Sequence, residues 1–154
     1  MKSKPPRKTL DDTRTLRHLG SKSTDYQFEG PKAKILETFP NREEDRPYIV
    51  NFEFDEFTSL CPKTGQPDFA HISIRYAPGK TCVESKSLKL YFFAFRSFGC
   101  FMETITNKML DDLVAVTSPR YMQVTATFKA RGGITTIVTA QFISEDESPE
   151  QWGV

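Results

Sequence analysis

Tyr121-Met122-Gln123-Val124-Thr125-Ala126-Thr127-Phe128-Lys129 and Ile134-Thr135-Thr136-Ile137-Val138-Thr139-Ala140-Gln141-Phe142-Ile143 flank Arg131-Gly132-Gly133. Both flanks alternate with a period of two and are rich in Thr and β-branched residues, so they read as two strands joined by a glycine turn. Upstream, Phe101, Ile105, Met109, Leu113 and Val116 recur at helical spacing, and Ser118-Pro119 stops that helix. A shorter helix carries Leu88, Tyr91, Phe92 and Phe95 on one face, with Ser85 or Ser87 as its cap and a break near Ser97 and Gly99. Before it lie two more alternating runs. Tyr48, Val50, Phe52 and Phe54 share one face of the first; in the second, Phe69, His71, Ser73 and Arg75 oppose Ala70, Ile72, Ile74 and Tyr76. The order strand, strand, helix, helix, strand, strand predicts an α+β fold: a four-stranded antiparallel sheet with a pair of helices on one face. Its two open edges invite pairing with other subunits.

The rest of the composition limits the function. At 154 residues, with 38% hydrophobic residues and 13 Phe, the chain has the size and apolar bulk of one folded domain. Residues 1–22 form a basic arm with seven Lys or Arg against two Asp; residues 144–154 form an acidic tail; residues 23–143 are the expected domain. The segment between arm and tail carries 14 basic and 14 acidic residues, which argues against nucleic-acid binding through a basic face. No apolar run approaches the roughly 18 residues of a membrane span, and no signal segment follows Met1, so a cytoplasmic protein is expected. Cys61, Cys82 and Cys100 are widely spaced, and with only His18 and His71 the chain is short of ligands for a metal centre.

Phe57 to Asp68 reads as a loop too long and too rich in Pro and Gly for a tight hairpin. It holds Cys61, followed by Pro62 and Lys63, with Asp68 seven residues on. A thiol beside a cation is a competent nucleophile, and a nearby carboxylic acid can protonate what the sulfur attacks; a lone Cys can equally be an inert small hydrophobe. His71 differs from Asp68 by an odd number of positions and should face the other side of the strand, which speaks against a Cys/His/Asp set. Arg131-Gly132-Gly133 is either a phosphate-binding turn or an ordinary hairpin, and Lys86 and Lys89 either an anion site or a solvated face.

The wording of two segments goes further than spacing. Phe57-Thr58-Ser59-Leu60-Cys61-Pro62-Lys63-Thr64-Gly65-Gln66-Pro67-Asp68-Phe69-Ala70 resembles the nucleophile loop of the NADPH-dependent 7-cyano-7-deazaguanine reductases, the nitrile reductases of queuosine biosynthesis. Glu84-Ser85-Lys86-Ser87-Leu88-Lys89-Leu90-Tyr91 resembles their signature helix, and Arg120-Tyr121 and Arg131-Gly132-Gly133 fit downstream, so the resemblance spans roughly Leu19 to Phe142 in the short, single-module form. The resemblance implies a tunnelling fold related to GTP cyclohydrolase, with sheets joined into a barrel by oligomerisation, stacked pentameric rings and active sites between subunits. It implies that Cys61 adds to the nitrile carbon to give a thioimide while Asp68 protonates the nitrogen. Two NADPH then complete the four-electron reduction to 7-aminomethyl-7-deazaguanine, with no metal. Val83, Glu84, Ser85, Met102 and Glu103 would line the substrate pocket; Lys86, Ser87, Lys89, Arg131, Gly132 and Gly133 would bind the cofactor.

One stretch departs from the family pattern. Where the reductases usually read Phe-His-Glu after the signature helix, this chain reads Phe101-Met102-Glu103, and the preceding Asn-His-Gly is Ser97-Phe98-Gly99. Met102 cannot donate, accept or titrate as a histidine does. Two other readings follow: an amidinotransferase that adds ammonia to the same nitrile in tRNA, which the intact signature helix disfavours, and a non-reducing deazaguanine-binding protein.

Overall fold

The computed structural model describes residues 28–153; the basic arm of residues 1–22 lies outside them. After a 3-10 turn at Ala33–Ile35 come β1 (Thr38–Pro40), β2 (Val50–Leu60), β3 (Pro67–Ala77), β4 (Thr81–Val83), α1 (Ser85–Phe93), α2 (Met102–Thr117), β5 (Tyr121–Arg131), β6 (Ile134–Ile143) and α3 (Pro149–Trp152). The expected antiparallel sheet is present in the order β2-β3-β5-β6, and β1 pairs with β4 in a separate ribbon. The core lies between the sheet and α1 and α2: Ile72, Ile74, Val124, Ala126 and Phe128 face Leu88, Tyr91, Phe92, Phe95, Ile105, Met109 and Leu113. Each such large apolar side chain contributes about 1.5–3 kcal/mol on full burial.

Four local expectations are corrected. Phe57 to Leu60 and Pro67-Asp68 are strand, not loop, so only residues 61–66 connect β2 to β3. The alternation in β2 hides a bulge: the register with β3 shifts between Phe54 and Phe57. The added residue returns Phe57 and Ser59 to the inward face already held by Phe52 and Phe54, where a strict period of two would have turned them to solvent. Helix α1 is capped by Glu84, whose carboxylate accepts from the backbone N–H groups of Lys86 and Ser87, rather than by Ser85 or Ser87. Phe101 precedes α2 as its N-cap residue and is 62% exposed, so it does not share that helix's buried face. The C-terminal end is as read, with Ser118 in the left-handed region (φ 43°) ahead of Pro119.

The acidic tail is docked. Trp152 stacks on Tyr121 (5.6 Å between centroids, 7° between planes), the Arg120 guanidinium lies over the Trp152 ring and pairs with Glu147, and Arg75 donates to the Trp152 carbonyl. Among the described residues no helix is long and apolar enough to cross a membrane.

Candidate active site

The β2–β3 hairpin brings Cys61 and Asp68 to one end of the sheet. Its turn is closed by the Cys61 N–H donating to the Gln66 carbonyl (2.8 Å) and the Gly65 N–H donating to the Cys61 carbonyl (2.9 Å). Gly65 takes φ +68°, which a side chain would resist. Folded this way, the turn aims donors at the sulfur. The Thr64 hydroxyl, the Thr64 and Lys63 backbone N–H groups and the Arg131 guanidinium lower the Cys61 thiol to about 7, from roughly 8.5 for a free thiol. Lys63 therefore acts through its amide, where the sequence pointed to its ammonium.

Asp68 is 4% exposed and faces inward from β3. Arg131, at the end of β5, donates to Asp68 Oδ1 at 2.9 Å and to Gln66 Oε1 at 2.9 Å, and also reaches the Cys61 thiol. One guanidinium thus ties nucleophile, carboxylate and turn together. Sequence reasoning placed Arg131 with the cofactor and missed Thr64 and Gln66 as its companions. The fork of donors that suits Arg for phosphate suits it equally for a carboxylate and a thiolate.

The start of α2 lies against the same turn. Leu60 donates to Phe98 O and accepts from the Cys100 N–H at 3.0 Å, bridging Gly99, so Met102 and Glu103 follow two and three residues beyond Cys100. Glu103 is exposed, and Met102 is half-buried and packs on the core edge. Gly99 sits close to the turn: a Cβ there would lie 3.2 Å from Pro62 Cα, tighter than an ordinary contact. Gly99→Ala is expected to push the Cys61 turn aside, costing about 1 kcal/mol or more by overpacking and slowing Cys61 alkylation; unchanged melting and alkylation would show that the contact relaxes freely.

The remaining predicted residues sit elsewhere. The Tyr76 hydroxyl, from the far end of β3 relative to Asp68, accepts from the Val83 N–H, and Val83, Glu84 and the first turn of α1 follow there. From Asp68 to Tyr76 is eight residues of strand, roughly 26 Å at about 3.3 Å per residue, and Ser85 and Lys89 lie nearer, beside Phe52 and Phe54 of β2. Within one chain, then, Cys61, Asp68, Met102, Glu103 and Arg131-Gly132-Gly133 form one group, and Val83, Glu84, Ser85, Lys86, Ser87 and Lys89 another. Ser87 is buried with its hydroxyl committed to the Glu37 N–H and the Glu84 carbonyl, so it serves the helix start and does not face outward as a cofactor ligand. Lys86 and Lys89 are exposed. Gly132 and Gly133 have φ +57° and +84° with nothing within 4 Å of a built Cβ, which leaves their backbone open to an approaching anion.

A cleft of about 380 Å³ runs along the edge strand β2, lined by Phe54, Glu56, Thr58, Phe69, Phe92 and Arg96, among others. It contains none of the predicted site residues. His71 faces away from Asp68, as parity required: its ring nitrogens meet Asp55 (2.6 Å) and Glu53 (2.7 Å), which raise its pKa. Among the described residues no three His, Cys, Asp or Glu side chains cluster as a metal site.

Comparison with known proteins gives the family. The family model described as "QueF-like protein" matches residues 67–147. A protein of Nitratidesulfovibrio vulgaris named NADPH-dependent 7-cyano-7-deazaguanine reductase is 52% identical over 91% of this chain and 84% of its own length. Proteins of the same name from Alkalilimnicola ehrlichii (58% identity; 71% of this chain, 84% of the relative) and Desulfovibrio desulfuricans (46%; 94% and 86%) are also similar. Among solved structures, the apo form of the archaeosine synthase QueF-Like aligns with a TM-score of 0.58 over 62% of this chain and 94% of its own; at 22% identity this speaks for the fold alone. With half its length matched by the family model and about half its residues identical to those reductases across nine-tenths of the sequence, the chain belongs to the QueF-like family.

Proposed function

We propose that this chain is an NADPH-dependent nitrile reductase that converts 7-cyano-7-deazaguanine to 7-aminomethyl-7-deazaguanine in queuosine biosynthesis. The observation that carries the reading is the convergence of Cys61 and Asp68 on Arg131, in a chain so similar to reductases of that name. The Cys61 sulfur adds to the nitrile carbon; one C≡N π bond breaks, and the thiol proton reaches the nitrogen by way of Asp68, giving a thioimide. Covalent capture turns a poor hydride acceptor into a better one and holds it in place. When bound, NADPH supplies the two hydrides of the four-electron reduction. Lys86, Lys89 and the open amides of Gly132-Gly133 are the groups fit to hold its phosphates, and the Glu103 carboxylate would read the guanine-like edge. Arg131 would have to share itself between Asp68 and a phosphate.

Because the two groups of site residues stand apart within one chain, a complete pocket would take one group from each of two copies. The free edges of β2 and β6 are where copies would pair, in keeping with a barrel of joined sheets and stacked pentamers. A cytoplasmic setting without a nucleic-acid partner fits a small-molecule substrate and the balanced charge.

The test follows the NADPH absorbance band and the intact mass together, with purified protein and 7-cyano-7-deazaguanine. Two NADPH oxidised per amine formed is the expected result; an adduct on Cys61 with NADPH untouched would replace the reductase by the amidinating or binding reading. Met102→His is expected to raise turnover by up to about tenfold, the worth of one ordinary hydrogen bond. Equal turnover would mean that the departure from the family pattern has no consequence.

A further inference from the structure

Ser59 is a buried polar residue that the mechanism above does not use. It is 0% exposed, and its Oγ has no hydrogen-bond partner among the described residues. A hydroxyl in that state is destabilising, since burial without a partner forfeits its hydrogen bonds to water, and such a group calls for an explanation. Its position supplies one. Ser59 lies directly across the β2–β3 ladder from Asp68, and both point into the core side of the sheet. Cross-strand partners have Cβ atoms about 4.5–5.5 Å apart, so rotation of Ser59 about χ1 brings its hydroxyl within reach of the Asp68 carboxyl. The bulge between Phe54 and Phe57 is what turns Ser59 to that face. Arg131 already engages Asp68 Oδ1.

We propose that Ser59 is a positioning residue for the acid: its hydroxyl donates to the second oxygen of Asp68 when that carboxyl gives its proton to the nitrile nitrogen. Sulfur–carbon bond formation and proton delivery are unchanged from the addition above; Ser59 supplies a hydrogen bond to the carboxylate left behind and itself loses nothing. This rests on the reading that Asp68 is the proton donor. It also gives the unpartnered hydroxyl a physical reason, as a donor held beside the carboxyl that takes up and releases the proton.

The experiment compares the full chain with Ser59→Ala and Ser59→Thr, measuring the rate of Cys61 adduct formation with 7-cyano-7-deazaguanine by intact mass across pH, and the melting temperature of each. Ser59→Ala should slow adduct formation about ten- to a hundredfold, the factor for a hydrogen bond to a charged group. The alanine protein should melt at or above the parent temperature, since it loses an unpartnered polar group, and Ser59→Thr should recover most of the rate. An unchanged adduct rate, or a rate loss that tracks a lower melting temperature or failure to fold, overturns the proposal. If the parent itself forms no adduct, the covalent reading fails and this role fails with it, which is a different result from an unaffected Ser59→Ala.

Discussion

Cys61→Ala protein will form no adduct with 7-cyano-7-deazaguanine and will oxidise NADPH with it at least about a thousandfold more slowly than the parent, because no other group is placed to attack the nitrile carbon. Cys61→Ser is expected to fail nearly as badly. The donors gathered around the sulfur, namely the Thr64 hydroxyl, the Thr64 and Lys63 amides and Arg131, bring a thiol to about 7, but an alcohol starts far too high for the same donors to ionise it. Both variants should fold, since Cys61 sits half-buried on a turn held by backbone hydrogen bonds. The pH dependence has a definite sign. A thiol lowered to about 7 is alkylated with a rate that climbs through pH 7 and levels off above it, whereas Cys100, pushed up by burial, reacts only at higher pH. Mass mapping after brief alkylation at pH 7 should therefore find Cys61 modified before Cys100. Equal modification of the two, or retained NADPH oxidation in Cys61→Ala, would overturn the covalent mechanism.

The strands and helices were legible because their periods are long and regular: β3 alternates from Asp68 to Tyr76 and β5 from Met122 to Phe128, and α2 repeats its apolar positions across four turns. The bulge in β2 was not, because Asp55-Glu56 reads as an ordinary polar strand end and nothing local announces the added residue. The β1–β4 ribbon escaped for a different reason: three residues a side are too few to show a period. At the site, Cys61 and Asp68 could be named from the words of one segment, but Arg131 lies 63 residues from Asp68 in the chain and meets it only through the β3–β5 register, which pairs Ala70 with Phe128. A sequence motif records which residues travel together along the chain. It does not record that Glu84, which follows the Val83 held by Tyr76, and Asp68, both read as site residues, stand well apart in one chain.

That separation makes the acid the more discriminating residue to change. Asp68→Asn keeps the shape of the side chain, and its carbonyl oxygen can still accept from Arg131 while its amide faces the Ser59 hydroxyl, so the hairpin should hold. It cannot deliver a proton. Adduct formation should fall by about 10²–10⁴-fold, the usual share of a general acid. Alkylation of Cys61 at pH 7 should change far less, because three of the four donors that lower its thiol belong to the Lys63-Thr64 turn and are untouched. A large loss of adduct with near-normal alkylation assigns proton delivery to Asp68. If alkylation collapsed in parallel, Asp68 would instead be acting through Arg131, holding the guanidinium against the sulfur, and the proton would have to come from the thiol's surroundings by another route. The two measurements on one variant separate the nucleophile from its acid, which the shared contact with Arg131 otherwise binds into a single unit.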